Sequence, residues 1–128
     1  MKPEMHLYEY AVIRLVPMVE REEFINVGVI VFSKSKRFIK TKTKLSAKRL
    51  ESFACELDLE QLQQNLQAFE WIASGNKKGG PIACEELPER FRWLTAVRSS
   101  VIQTSRPHPG KTNDLEKEVE RLFVEYVL

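Results

Sequence analysis

With 128 residues, 43% of them hydrophobic and 30% charged, the chain has the size and balance of one globular domain, residues 1–128, with one core. This composition excludes a disordered chain. A net charge of +2, from 20 basic and 18 acidic residues, is too balanced to signal nucleic acid by itself. Cys55 and Cys84 are too few for a disulfide framework, and Cys55, set among apolar residues, reads as a reduced, buried thiol. No apolar run approaches the ~20 residues of a membrane span, and the N-terminal MKPEMHLYEY lacks an apolar signal core. A cytoplasmic protein with no membrane contact is therefore expected.

Residues 7–16 alternate, and both faces are largely apolar: Tyr8, Tyr10, Val12, Arg14 and Val16 on one, Leu7, Glu9, Ala11, Ile13 and Leu15 on the other. That pattern predicts a strand covered on both sides and ended by Pro17. Residues 18–23 (MVEREE) read as an exposed connector. The β-branched run that follows predicts a second strand over 24–33. A polar turn leads to a third over 37–43, whose Lys40 and Lys42 suit an edge.

Helical signals come next. Ser46 can cap a short helix carrying Leu50, Phe53, Ala54 and Leu57 inward. Asp58 with Gln61 forms a capping box ahead of Leu59, Leu62, Leu66, Phe69, Ile72 and Ala73, and Gly75 stops that helix. GNKKGGP (75–81) reads as a flexible loop. Pro88 suits the first turn of a helix with Phe91 and Leu94 inward. Residues 98–105 predict a fourth strand beside the first, whereas RPHPG (106–110) reads as irregular. Asn113 with Glu116 is the expected cap of a last helix, buried through Leu115, Val119, Leu122, Phe123 and Tyr126. The fold class expected is α+β: an antiparallel sheet of about four strands with helices packed mainly on one face.

Several polar residues stand out against this scaffold. Arg14 interrupts an apolar strand and needs a partner, in the protein or in a ligand. Odd spacing puts it on the face opposite Glu9. Asn26 and Gly28 interrupt the second strand, where a glycine marks a bulge or a close backbone approach. Gln103 to Gly110 gathers Thr104, Ser105, Arg106 and His108 about a stiff turn, a composition able to hold a phosphate or carboxylate. A proline-stiffened connector whose polar groups satisfy one another is the simpler reading of the same residues. The sequence lacks Walker A, GxGxxG, GxSxG and HExxH motifs, and no Cys/His spacing suggests zinc. No cofactor or metal is expected. Metal chemistry would fall to Glu9, Glu20, Glu22 and Glu23, the last three of which read more simply as a solvated connector. Residues 34–50 carry eight Lys or Arg and no acid. Only Phe38 interleaves them, which favours a solvated edge or a patch for an acidic protein over nucleic acid.

Three segments, in order, resemble a known family: YEYAVIRLVP (8–17) with EFINVGVIVF (23–32), FRWLTAVRSSVIQTSRPHPG (91–110) and LEKEVERLF (115–123). The family is the bacterial one catalogued as domain of unknown function 3037. The resemblance implies no particular activity. It does imply a partner, because members resembling this chain are often encoded beside a HipA-like kinase. The family's polar pattern falls on Glu9, Arg14, Glu23, Asn26, Gly28, Arg98, Gln103, Ser105, His108 and Gly110. With Arg106 these are the expected residues of one shared polar site. The leading expectation for function is a non-enzymatic protein that binds another protein, the kinase-like one included, through that site. The alternative is an enzyme acting on a phosphorylated or nucleotide substrate, with Arg14, Arg98 and Arg106 holding the anion and His108 or Glu9 as acid–base. A weaker alternative is nucleic-acid binding through 34–50.

Overall fold

The computed structural model describes residues 4–16, 24–51, 58–96 and 101–128. The sheet is built around β1 (His6–Leu15), with β2 (Ile25–Ser33) antiparallel on one side and β3 (Phe38–Thr43) beyond it. On its other side β1 pairs in turn with β4 (Ile102–Thr104) and β5 (His108–Thr112), both antiparallel. The expected α+β class and four-stranded order hold, with β5 as a fifth strand. Residues 106–110 are therefore partly regular, contrary to the sequence expectation. Among the described residues β5 bonds to β1 alone, so alternate N–H positions face away from the sheet, and an edge strand accepts Pro109 there.

The alternation of β1 is used on both faces. Ala11, Ile13 and Leu15 join Ile30 and Phe32 beneath Leu62, Leu66, Phe69 and Ile72 of α2 (Leu59–Ser74) and Phe91 and Leu94 of α3 (Leu87–Thr95). A short α1 (Ala47–Glu51) precedes α2 and packs Leu50 on the same cluster. Tyr8, Val29 and Val31 face the other way, against Leu115, Val119, Leu122 and Phe123 of α4 (Leu115–Tyr126). Most helical residues thus cover one face, and a single amphipathic helix covers the other. Burying four such side chains of α4 contributes on the order of 6–12 kcal/mol before chain entropy is counted.

The caps follow local chemistry. Asp58 accepts from the backbone N–H groups of Glu60 and Gln61 to start α2, and Gly75, at φ 75°, ends it. Asp114, not Asn113, caps α4, accepting from Lys117 N at 3.1 Å. The cap sits one residue later than expected because Thr112 Oγ1 accepts from Asp114 N and fixes the turn there. The expected flexible loop holds two 3-10 turns, Lys77–Gly79 and Pro81–Cys84, the first lying close enough that a Cβ on Gly79 would sit 3.0 Å from Ile72. Ser46 Oγ accepts from Arg49 N at 3.4 Å, while Phe53, Ala54, Cys55 and Leu57 lie outside the described residues. No helix among the described residues is long and apolar enough to cross a membrane.

Candidate functional site

The β1–β2 ladder runs in register from Glu9↔Phe32 to Ile13↔Gly28 and then shifts, so that Arg14 faces Asn26. Val27 is the extra residue of this bulge. The slip keeps Val27 and Ile25 on the α2 side and turns Asn26 to the face that carries Arg14. Gly28 sits beside the bulge for a packing reason: a Cβ there would meet Lys42 O at 2.6 Å and Thr43 Cγ2 at 2.7 Å. Both sequence readings of Gly28, bulge and close approach, apply, and its role is structural.

Arg14 is the centre of a cross-strand row, with Asn26 on one side and Gln103 on the other. Directly paired residues share a face, so the three project together. The Arg14 guanidinium lies over the ring of Phe24, 4.3 Å from its centroid, and that ring is 47% exposed. Asn26 Nδ2 donates to Tyr126 O at 3.0 Å, where α4 ends. Arg14 Nε and Asn26 Oδ1 are buried and have no hydrogen-bond partner among the described residues. The Tyr126 carbonyl can only accept, which fixes the amide: Nδ2 must face it and Oδ1 must point away. Arg90 Nε and Thr104 Oγ1 are also buried and unbonded, but each stands singly. Arg14 and Asn26 alone among these set an unused donor and an unused acceptor on directly paired residues.

The same face continues along β1 through aromatic contacts. Tyr10 OH lies 3.1 Å from Tyr126 OH, and the Tyr10 ring packs against His108, its cross-strand neighbour, at 5.4 Å between centroids. His108 is exposed and joins Asn26 through Tyr10 and Tyr126. The bond to Tyr126, with burial behind it, pushes the Tyr10 phenol up to about 12. Farther along, Tyr8 OH donates to Glu118 Oε2 at 2.6 Å, and Arg121 bonds the other oxygen of that buried carboxylate. Burial first, and the Glu118 bond second, push the Tyr8 phenol up to about 12. Burial pulls Glu118 the other way, toward the neutral acid, but the bonds from Arg121 and Tyr8 outweigh it and hold the carboxyl below its usual range. Gly110 lies flat against Tyr8, where a Cβ would come within 2.5 Å of Cζ.

The remaining expected site residues go elsewhere. Glu9 is on the opposite face, paired with Phe32 and Pro109. Ser105 is buried and structural: its Oγ accepts from Val12 N at 2.9 Å, and its N–H donates to Val12 O at 2.8 Å. Arg106 is exposed. Glu23 and Arg98 lie outside the described residues, as do Glu20 and Glu22. In the basic strip, Lys40 pairs with Glu116 at 2.6 Å and Lys42 pairs with Glu120, so two of its cations meet acids of α4. Arg49 donates to Val127 O. No group of three His, Cys, Asp or Glu side chains among the described residues could hold a metal.

Sequence reasoning missed Phe24, Tyr126 and Glu118 as members of these clusters. For Glu118 a signal existed. It falls three residues after Leu115 and four before Leu122, on the apolar stripe, where a carboxylate needs a partner.

No curated protein and no solved structure matches the chain. One family model matches residues 10–127, nearly the whole of it and every described element of the sheet and of α1 to α4 except the first residues of β1. The chain belongs to the family described as protein of unknown function (DUF3037).

Proposed function

We propose that this is a non-enzymatic partner protein, which binds another protein through the patch formed by Arg14, Asn26 and Phe24 at the end of α4. The observation that carries this reading is the facing pair of unused groups, Arg14 Nε and Asn26 Oδ1. Each buried, unbonded polar atom costs about 1–3 kcal/mol, a penalty that a partner bonding to it removes. One donor beside one acceptor suits a group that also offers both, such as a peptide unit or a side-chain amide. A carboxylate would satisfy Arg14 but would set its charge against the Asn26 oxygen. Entry requires the guanidinium to lift from the Phe24 ring, which frees an exposed aromatic beside an arginine, the composition of an interface hot spot.

The enzyme reading draws less support from the same geometry. Glu9 and Arg14 occupy opposite faces of β1, and His108, the other expected acid–base group, shares the face of Arg14 but stands opposite Tyr10, four residues along the strand. The kinase-like partner that the family resemblance implies is the first to test. Co-expressed with such a protein, the wild-type chain co-elutes on size exclusion, and Arg14→Met and Phe24→Ala release it. A pair that stays separate, or a complex indifferent to both substitutions, overturns the proposal.

A further inference from the structure

A second opening lies at the other end of β1 and on the other face. There α3, the start of β1 and the turn after β2 enclose a groove of about 720 Å³. Its size is that of a small-molecule site. Leu7, Pro88 and Pro109 wall it, and the stacked rings of Phe32 and Phe91, 4.8 Å apart, form its floor. Leu7 is 62% exposed although it belongs to the sheet's central strand. Most of its side chain is therefore open to a ligand in the groove.

The charges around the groove are unequal. Lys34, in the turn after β2, and Arg92, on α3, supply cations, with the Ser35 hydroxyl beside Lys34. Glu9 supplies a carboxylate from the strand itself. Among the described residues Arg92 pairs with Glu89, at 3.3 Å, with both side chains more than half exposed, so its charge remains available. An anion is drawn toward Lys34 and Arg92 and kept from the β1 side by Glu9. The prolines and the stacked rings are stiff, so little ordering cost accompanies binding.

We infer that this groove binds a small amphipathic organic anion: an apolar, preferably aromatic body against Leu7, Phe32 and Phe91, with its carboxylate, sulfonate or phosphate between Lys34 and Arg92. The site is separate from the Arg14 patch, so either can fail without the other.

The test uses anilinonaphthalene sulfonate, an aromatic body with one anionic group, on the folded full chain. Titration should give saturable fluorescence with one site, and amide shifts confined to residues 7–9, 32–35, 89–92 and Gly110, the neighbour of Pro109. The double variant Lys34→Glu with Arg92→Glu should weaken binding at least about tenfold, and Glu9→Gln should strengthen it. Leu7→Glu, at an exposed position, should also weaken it, with near-ultraviolet circular dichroism unchanged. The uncharged analogue phenylnaphthylamine should bind more weakly. Non-saturable fluorescence, shifts scattered outside these residues, equal affinity for the charge-reversed chain, or equal affinity for the neutral analogue overturns the inference.

Discussion

Tyr8 and Arg14 stand on the same face of the same strand, and α4 reaches both ends of that face, yet the two are treated oppositely. Around Tyr8 every strong polar group is answered: the phenol bonds Glu118, Glu118 bonds Arg121, and Arg121 reaches on to Glu125 at 2.9 Å. Around Arg14 the guanidinium rests on a ring, its Nε unanswered, and the facing asparagine uses only its amide nitrogen. A fold that satisfies a buried carboxylate at one end has no physical need to leave a donor and an acceptor idle at the other. The first cluster closes on itself and holds α4 to the sheet. The second leaves one donor and one acceptor unbonded among the described residues.

The sharpest break in that contrast is Gly110→Ala. The new Cβ would press on the Tyr8 ring, which its bond to Glu118 and its burial prevent from yielding. Overpacking of this kind should cost about 3 kcal/mol, read as a lowered denaturant midpoint at constant slope. Next comes Tyr8→Phe, which keeps the ring and removes the charge-assisted bond. A loss of about 2 kcal/mol is expected, with no effect on partner binding.

Alkali probes the same cluster. A phenol whose folded pKa is raised above its unfolded value stabilises the fold fully below the unfolded pKa and loses that contribution as pH rises through the folded one. Tyr8 and Tyr10, both pushed up to about 12, should therefore make stability fall between pH 10 and 12, with late phenolate absorbance in the native protein. Glu118 has the opposite sign. Its depressed pKa gives stability that is present above the ordinary carboxylate range and lost in acid. In Tyr8→Phe the alkaline loss should shrink.

The smallest effect on the fold is expected at the open pair. Arg14→Met removes the idle donor, which relieves about 1–3 kcal/mol, and gives up the cation–π contact with Phe24, which costs about 0.5–2 kcal/mol, so the two largely offset and stability should not fall. Partner binding should nevertheless be lost. A loss of stability as large as that of Tyr8→Phe would place Arg14 in the scaffold and erase the contrast.

Much of the scaffold was legible because its signals are local. The two-residue alternation of 7–16, the β-branched run after Phe24, and the three-and-four spacings of Leu59–Ala73 and Leu115–Phe123 each specify an element on their own. The fifth strand was hidden because Pro107, Pro109 and Gly110 look like breakers until their position at an edge is known. In the site, Arg14 and Asn26 were singled out for interrupting apolar strands and Gln103 for opening the polar segment 103–110, and pairing gathered them. Glu9 was singled out for the same reason and went to the other face, as its odd spacing from Arg14 required. Ser105 is engaged by the backbone of Val12, and Gly28 makes room for Lys42 and Thr43. Tyr126 could not be found at all, because the carbonyl that fixes Asn26 gains meaning only once α4 has docked.

The placing of β1 also governs how the protein is made. Its first neighbour, β2, is close in sequence, but the Val12–Ser105 bonds span 93 residues and the Tyr8–Glu118 bond spans 110. Closing loops of that length is slow compared with forming a hairpin or a helix. During synthesis β1 must therefore wait, apolar on both faces and with one edge bare, until residues 102–112 emerge. A chain halted before that point exposes the kind of strand that pairs with its own copies. Fragments ending ahead of Val101 should accumulate as aggregates, read by sedimentation against the full chain.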